Sequence, residues 1–419
     1  MLTRRGAGLL FGAVLLWAIG RLLGVSELYV VAAATGLLVV VGAVAVRLST
    51  ATIAVRRSVT QDRILQGGTG EAVVQLRNDS RFPTSLLLVE DTSHRALADQ
   101  PRFVVPGLGA GRTASLRYPL QGRVRGRYPV GPLRVRVRDP FGLTQRVRRY
   151  RGVDEVVVYP RIESLGEGVG LGAHLGSGAS DLRRLFTSGD EFYTMREYVT
   201  GDDLRQVHWP STAHRQTLMV RQQEQPWQVE ATVLCDTRHG AHRDIGRDSP
   251  LEKAISVAAS LVWHLADDGY RLRLVTEADQ RTPALAPWQA HLDRLAEVAP
   301  TRVPALGPAL QGLRGAASEG LLMAVIAPPP GDEPVARCGD TKALLQAGRG
   351  FSARAALIVS GSGRAGPGGS DRAESMAALL RAAGWKATTI APSQALGDRW
   401  RLLSGGRPRA TAYQPGAAS

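Results

Sequence analysis

Hydrophobic and polar positions along this chain fall into three successive rhythms, and the first is a pair of long apolar runs. Gly6 to Gly20 is apolar and Leu22 to Val25 extends it past Arg21, while Leu28 to Val46 is 19 residues without a charge. That length is close to what crosses ~30 Å of hydrocarbon. The pattern predicts a transmembrane hairpin over residues 1–47, two helices joined by a short turn around Val25-Ser26-Glu27, with Arg21 snorkelling from a helix end. Gly8 and Gly12, then Gly20 and Gly24, stand at small-xxx-small spacing, which lets two helix backbones approach closely. Arg4 and Arg5 precede the first run, and Arg47, Arg56 and Arg57 follow the second, so the positive-charge bias puts both ends in the cytoplasm. A cleaved signal peptide with Arg4 and Arg5 as its head competes, but a second full span follows without a small-x-small cleavage site.

The second rhythm is strand alternation over residues 52–160. Segments 72–79, 85–92, 102–108, 114–121 and 131–139 are each seven to nine residues long, separated by turns rich in Asn, Asp, Gly and Pro. This spacing predicts a β-sandwich of immunoglobulin-like type. Asp139-Pro140 ends the last segment, because proline fixes φ and donates no hydrogen bond. Within that segment Arg134, Arg136 and Arg138 alternate with Val135 and Val137, so the arginines share one face and the valines the other.

From residue 229 to 400 strands and helices alternate. Buried strands are expected at 229–236, 270–277, 321–328, 353–360 and 385–392, with helices after 249 and near 290–298, 341–348 and 371–383. Ser249-Pro250-Leu251-Glu252 has the form of a capped helix start, and Gly269 stops that helix. A βαβ series implies an open, mostly parallel sheet covered on both faces. Residues 161–188 hold six glycines and read as a linker, and 404–419 as a disordered tail.

A chain of 419 residues supports two or three domains. Lys+Arg exceed Asp+Glu by 52 to 37, a net charge of +15, mostly from arginine. Such a balance favours anionic partners, although a GC-rich genome produces the same usage. Residues 112–151 hold twelve arginines and one acid, Asp139. The Arg134, Arg136 and Arg138 face is either a solvated outer face or a contact with anionic lipid, at ~1 kcal/mol per basic residue near a charged bilayer. Nucleic acid is not expected, because no aromatics are interleaved for base stacking and no groove-reading helix is apparent. Cys235 and Cys338 have neither metal-site spacing nor a disulfide framework, which fits a reducing compartment.

The densest polar chemistry lies in 189–228, where acids, arginines and aromatics surround a Gly-Asp-Asp turn. Gly189, Glu191, Phe192, Arg196, Glu197, Tyr198, Gly201, Asp202, Asp203, Arg205 and Trp209 together resemble the signature of a bacterial membrane-protein family called domain of unknown function 58. The run 125–143, an Arg-Gly-x-Tyr strand ending in Asp-Pro-Phe-Gly-Leu, is similar to that family's second recurrent element. Two positions depart from the pattern: His214 is inserted between Ala213 and Arg215, and His208 stands where Asp or Asn is common. The charged residues of the signature suit a network that locks a turn, with Phe192, Tyr198 and Trp209 as apolar anchors. The network either braces the junction between domains or presents a docking surface.

The resemblance implies that residues 229–400 are similar to a von Willebrand factor A domain. Such domains often bind a divalent ion through Asp-x-Ser-x-Ser at the end of the first strand. Asp236 keeps the first position here, but Arg238 and Gly240 hold the serine positions, and the strand expected to supply a later aspartate ends in Ala327-Pro328. The metal site is therefore expected to be degenerate. No nucleophile elbow, His-Glu-x-x-His or phosphate loop occurs, and Gly361 to Gly366 matches a dinucleotide fingerprint by letter only. His208, His214, His239 and His242 cluster in sequence as weak candidates for zinc or acid–base work.

These readings lead to a non-enzymatic, two-pass scaffold of the inner membrane with a cytoplasmic body and no cofactor. Its resemblance implies a protein partner of the MoxR-type AAA ATPase class and a role in envelope or stress processes. The alternative is a metal-dependent or hydrolytic enzyme using Asp236 and nearby histidines. A surface adhesion receptor would need the opposite topology.

Overall fold

A computed structural model of the protein describes residues 2–51, 53–165, 193–199, 207–223, 230–242, 246, 248–279, 281, 283–316, 320–361 and 368–404. The chain divides into two units, Met1–Pro160 and Arg161–Ser419.

Unit 1 opens with two apolar helices, α1 (Arg4–Leu23) and α2 (Ser26–Ala51), both long and apolar enough to cross a membrane. Thr3 caps α1 by accepting from Gly6 N, and Gly24 ends it at φ 66°, the left-handed conformation that glycine tolerates best. Ser26 and Glu27, read as part of the turn, already belong to α2.

Nine strands follow: β1 (Ile53–Val59), β2 (Arg63–Leu65), β3 (Thr69–Asn78), β4 (Leu86–Ser93), β5 (Arg102–Val105), β6 (Thr113–Gln121), β7 (Gly126–Arg138), β8 (Gln145–Tyr150) and β9 (Asp154–Tyr159). They form one sheet in the order β1-β3-β6 and another in the order β2-β9-β7-β4-β5, with β8 along the second half of β7. The pairings are antiparallel except β2 with β9. Leu76, Leu120, Leu87 and Val135, drawn from both sheets, meet in one apolar core. The alternation read along β7 is present: Val135 and Val137 are buried, Arg134 and Arg138 are exposed and Arg136 is half-buried. β1, β2, β8 and β9 were not expected from the sequence. Short or arginine-dense strands such as QRVRRY in β8 lack apolar alternation and are made by pairing with a neighbour.

Unit 2 begins with an ordered strap at residues 161–165. Glu163 accepts from Lys253 Nζ at 2.7 Å and from Leu396 N at 2.8 Å, and Ser256 Oγ donates to Arg161 O at 2.6 Å. The first residues of the expected linker are thus built into this unit; 166–188, like the tail 405–419, lie outside the described residues.

Next comes an antiparallel pair, β10 (Tyr193–Glu197) and β11 (Met219–Gln223), with the short helix α3 (Trp209–Arg215) between them. The main sheet is β12 (Glu230–Cys235), β13 (Arg271–Thr276), β14 (Leu321–Ile326), β15 (Ala353–Val359) and β16 (Lys386–Ile390), all parallel, in the order β13-β12-β14-β15-β16. The helices between and after these strands are α4 (Pro250–Asp267), α5 (Trp288–Glu297), α6 (Gly307–Ala316), α7 (Gly339–Gly348), α8 (Gly368–Ala382) and α9 (Leu396–Ser404). The five expected strands are all present. Ser249 caps α4 as its sequence implied, accepting from Glu252 N, and Gly269 follows the helix at φ 80°. α6 and α9 were not foreseen.

Candidate functional site

In an open parallel sheet, the crevice for a ligand forms at the carboxyl ends of the strands where the strand order reverses. Here β12 has β13 on one side and β14 on the other, so the reversal brings the loop after Cys235 beside the loop after Ile326. Asp236 is the first residue past β12 and is fully buried. Its carboxylate accepts at Oδ1 from Arg238 Nε (2.8 Å) and Arg238 N (3.2 Å), and at Oδ2 from Arg238 Nη2 (2.8 Å) and Ala327 N (3.3 Å). Both oxygens are therefore engaged.

The same guanidinium reaches a second acid. Arg238 Nη1 donates to Asp340 Oδ2 at 2.5 Å and to Pro304 O at 3.3 Å, and its side chain is 2% exposed. Asp340 lies in the first turn of α7, where the helix dipole favours an anion, and its other oxygen accepts from Leu306 N at 2.9 Å. Burial disfavours the charge on Arg238, but the hydrogen bonds and charges of Asp236 and Asp340 outweigh it and raise its pKa. The fork of donors is matched bidentately by Asp236.

A second buried acid stands alongside. Glu277, just past β13, accepts from Thr237 N at 2.9 Å, from Thr237 Oγ1 at 2.5 Å and from Thr301 Oγ1. It occupies at the end of β13 the place Asp236 takes at the end of β12, a parallel readable in the sequence as two buried strands ending in an acid. His242 donates from Nε2 to Asp236 O at 2.8 Å, while its buried Nδ1 has no partner among the described residues. Burial holds this imidazole below its ordinary pKa. His239 is exposed at the same end of the sheet, its backbone N–H donating to Thr301 O at 2.8 Å, whereas His208 caps α3. Among the described residues, no three His, Cys, Asp or Glu side chains gather as metal ligands. A divalent ion does not fit this end of the sheet, because the guanidinium already lies between the two carboxylates that would face it.

The signature is placed in part. Arg196 and Glu197 lie on β10, with Glu197 exposed and Tyr198, just past it, half-buried; Tyr198 N donates to Leu218 O at 2.8 Å. Glu191, Phe192, Gly201, Asp202, Asp203 and Arg205 lie outside the described residues. His208 is the N-cap of α3: its Nδ1 accepts from Ser211 N at 3.3 Å and lies 2.8 Å from Ser211 Oγ. An Asp or Asn would perform the same capping, which explains how this departure from the pattern is tolerated. Val207, Met219 and Val220 are buried, whereas Trp209 is 69% exposed, with Val199 and Leu218 also at the surface.

Residues 194–391 match the family model described as protein of unknown function DUF58. The chain carries a DUF58 domain. That match spans β10, α3, the parallel sheet and its Asp236–Arg238–Asp340 lock, but neither the helices nor the sheets of unit 1. No curated protein matches the chain. Among solved structures it is similar to the CARDB domain of a Pyrococcus furiosus protein in complex with di-metal ions. That match has 15% identity, covers 25% of this chain and 91% of that one, and has a TM-score of 0.20. It is also similar to a cohesin module from a Clostridium perfringens family 33 glycoside hydrolase. There the identity is 13%, the coverage 26% and 96%, and the TM-score 0.20. TM-scores this low assign neither a fold nor a function to the DUF58 domain or to the sheets before it.

Proposed function

We propose that this protein is a non-enzymatic adaptor of the bacterial inner membrane. In this reading α1 and α2 anchor it as a two-pass hairpin and hold the body in the cytoplasm. Unit 1 is an immunoglobulin-like sandwich, and the DUF58 domain is a von Willebrand factor A-like module that binds a MoxR-type AAA ATPase in envelope or stress-related work. Docking uses the loops at the carboxyl ends of the parallel strands together with the 189–221 signature.

The observation that carries the reading is the exposure of Trp209. A large aromatic left 69% exposed at the start of α3, in the same segment as the buried Val207, Met219 and Val220, is suited to a partner, and tryptophan is the residue most enriched in binding hot spots. Asp236, Arg238 and Asp340 at the sheet's end support it, since they are tied to one another in ion pairs rather than presented to a substrate. The enzyme alternative needs Asp236 to offer a free oxygen to a metal or a proton, and both of its oxygens are occupied by Arg238 and Ala327. Mg²⁺, Mn²⁺ or Zn²⁺ should accordingly leave the melting temperature of the wild-type chain unchanged, whereas a metal enzyme would be stabilised by binding.

The test is crosslinking and co-purification from native membranes, comparing wild type with Trp209→Ala and with Asp202→Ala/Asp203→Ala/Arg205→Ala. A MoxR-type ATPase should be recovered with wild type and lost with Trp209→Ala at unchanged thermal stability. Equal recovery with all three chains would reduce the signature to a structural brace.

A further inference from the structure

The loop joining β7 to β8 is clasped by the N-terminal helices. Thr3 donates its backbone N–H to Leu143 O at 2.9 Å and its hydroxyl to Gly142 O at 2.6 Å, and Leu2 bridges to Thr144. A methyl group on Gly6 would collide with Leu143 O, and one on Gly42 would stand 3.5 Å from the Asp139 carboxyl carbon. The loop therefore lies against α1 and beside α2. Its shape is fixed from within: the buried Asp139 carboxylate accepts from Phe141 N at 2.8 Å, from Thr144 Oγ1 at 2.9 Å and from Thr144 N.

These contacts set the depth of the loop along the hairpin. Gly6 comes after Arg4 and Arg5, and Gly42 comes before Arg47. At 1.5 Å per residue, Gly42 is roughly 7–8 Å to the apolar side of Arg47. Basic residues flanking a span mark the headgroup level, so the loop reaches that level and passes it. Phe141, 62% exposed, and the exposed Pro140 stand on it.

We propose that residues 139–144 form an interfacial wedge, with Phe141 inserted among the headgroups and upper acyl carbons of the cytoplasmic leaflet. Arg138 and Arg146, the exposed basic residues nearest the loop on β7 and β8, contact anionic headgroup phosphates. This rests on the reading of α1 and α2 as spans, and it ranks the arginines that the sequence left equivalent. Arg134, cross-strand partner of Arg149, is four residues farther along β7. At ~3.3 Å per residue that is about 13 Å, beyond a Debye length of ~8 Å, so these two arginines gain little from the surface.

The full chain is reconstituted in nanodiscs containing phosphatidylglycerol, with a nitroxide label at Phe141→Cys, at Val40→Cys within α2, or at Arg149→Cys. Cys235 and Cys338 are buried, and the unmodified chain serves as the blank. Labels at 40 and 141 should collide more with oxygen than with a water-soluble nickel complex, and the label at 149 the reverse. Oil at 40 with water at 141 overturns the wedge and leaves the anchor; water at both overturns the anchor as well. In a second arm, replacing phosphatidylcholine by phosphatidylglycerol should raise the melting temperature of wild type. Arg138→Gln/Arg146→Gln should lose most of that gain and Arg134→Gln/Arg149→Gln should keep it. Equal losses, or no gain in wild type, overturn the headgroup contact.

Discussion

Asp236→Asn should destabilise the DUF58 domain far more than a one-atom change suggests. The substitution preserves shape but turns one acceptor into a donor facing Arg238. It removes a charge-assisted hydrogen bond of a bidentate pair whose partners are 2% and 0% exposed. Each bond to a charged group contributes ~1.5–3 kcal/mol net, and stripping a buried ion of its partner costs about 3–5 kcal/mol. Asp340, still 2.5 Å from the guanidinium, keeps the loss toward the lower end. For a unit of this size 1 kcal/mol moves the melting temperature ~2–4 °C, so a fall of roughly 6–15 °C is expected. The assay is thermal unfolding of the full chain in detergent, followed by near-ultraviolet circular dichroism. Arg238→Met should be similarly harmful alone, because it strands Asp236 and Asp340. Combined with Asp236→Leu it should lose less than the sum, since the two residues act as one unit. A loss below about 1 kcal/mol for Asp236→Asn would mean a hydrated pair of surface type, and the argument for a guanidinium locking the end of the sheet would fall with it.

Acidification should weaken the same unit. Burial holds His242 and His291 below the ordinary imidazole range, His291 donating from Nε2 to Leu272 O at 3.0 Å. A depressed histidine supports folding above its unfolded pKa of ~6.5 and loses that support as pH falls toward the folded value. The urea midpoint should therefore drop between pH 7.5 and 5, less steeply for His291→Gln; parallel drops in both chains would refute this. At the signature, His208→Asp should leave hydrogen-exchange protection of residues 209–215 within a factor of a few. His208→Ala should lose ~0.5–2 kcal/mol of local stability, and equal protection in the two variants would deny the cap.

Local chemistry made much of this protein legible in its residue order. Two charge-poor runs become helices because length and apolarity leave little else, and Ser249, Pro250 and Gly269 bound α4 through backbone rules that act within a few residues. The five strands of the parallel sheet are near-continuous apolar runs, which is what burial on both faces requires. Asp236 stood out by its place after such a run. Other features depend on distance in space. β8 and β9 are strands because β7 offers them a pairing edge, and no pattern within QRVRRY announces it. Asp340 lies 102 positions from Arg238, yet the fold brings their side chains to 2.5 Å. The sequence read Arg238 as the loss of a metal ligand; tertiary packing makes it the cation that neutralises two acids. Loop 139–144 likewise takes its place beside α1 and α2 through Thr3, Gly6 and Gly42, residues about a hundred or more positions away. Apolar periodicity and capping are short-range and survive in one dimension. Charge neutralisation and strand pairing are satisfied between distant segments, so three dimensions decide them.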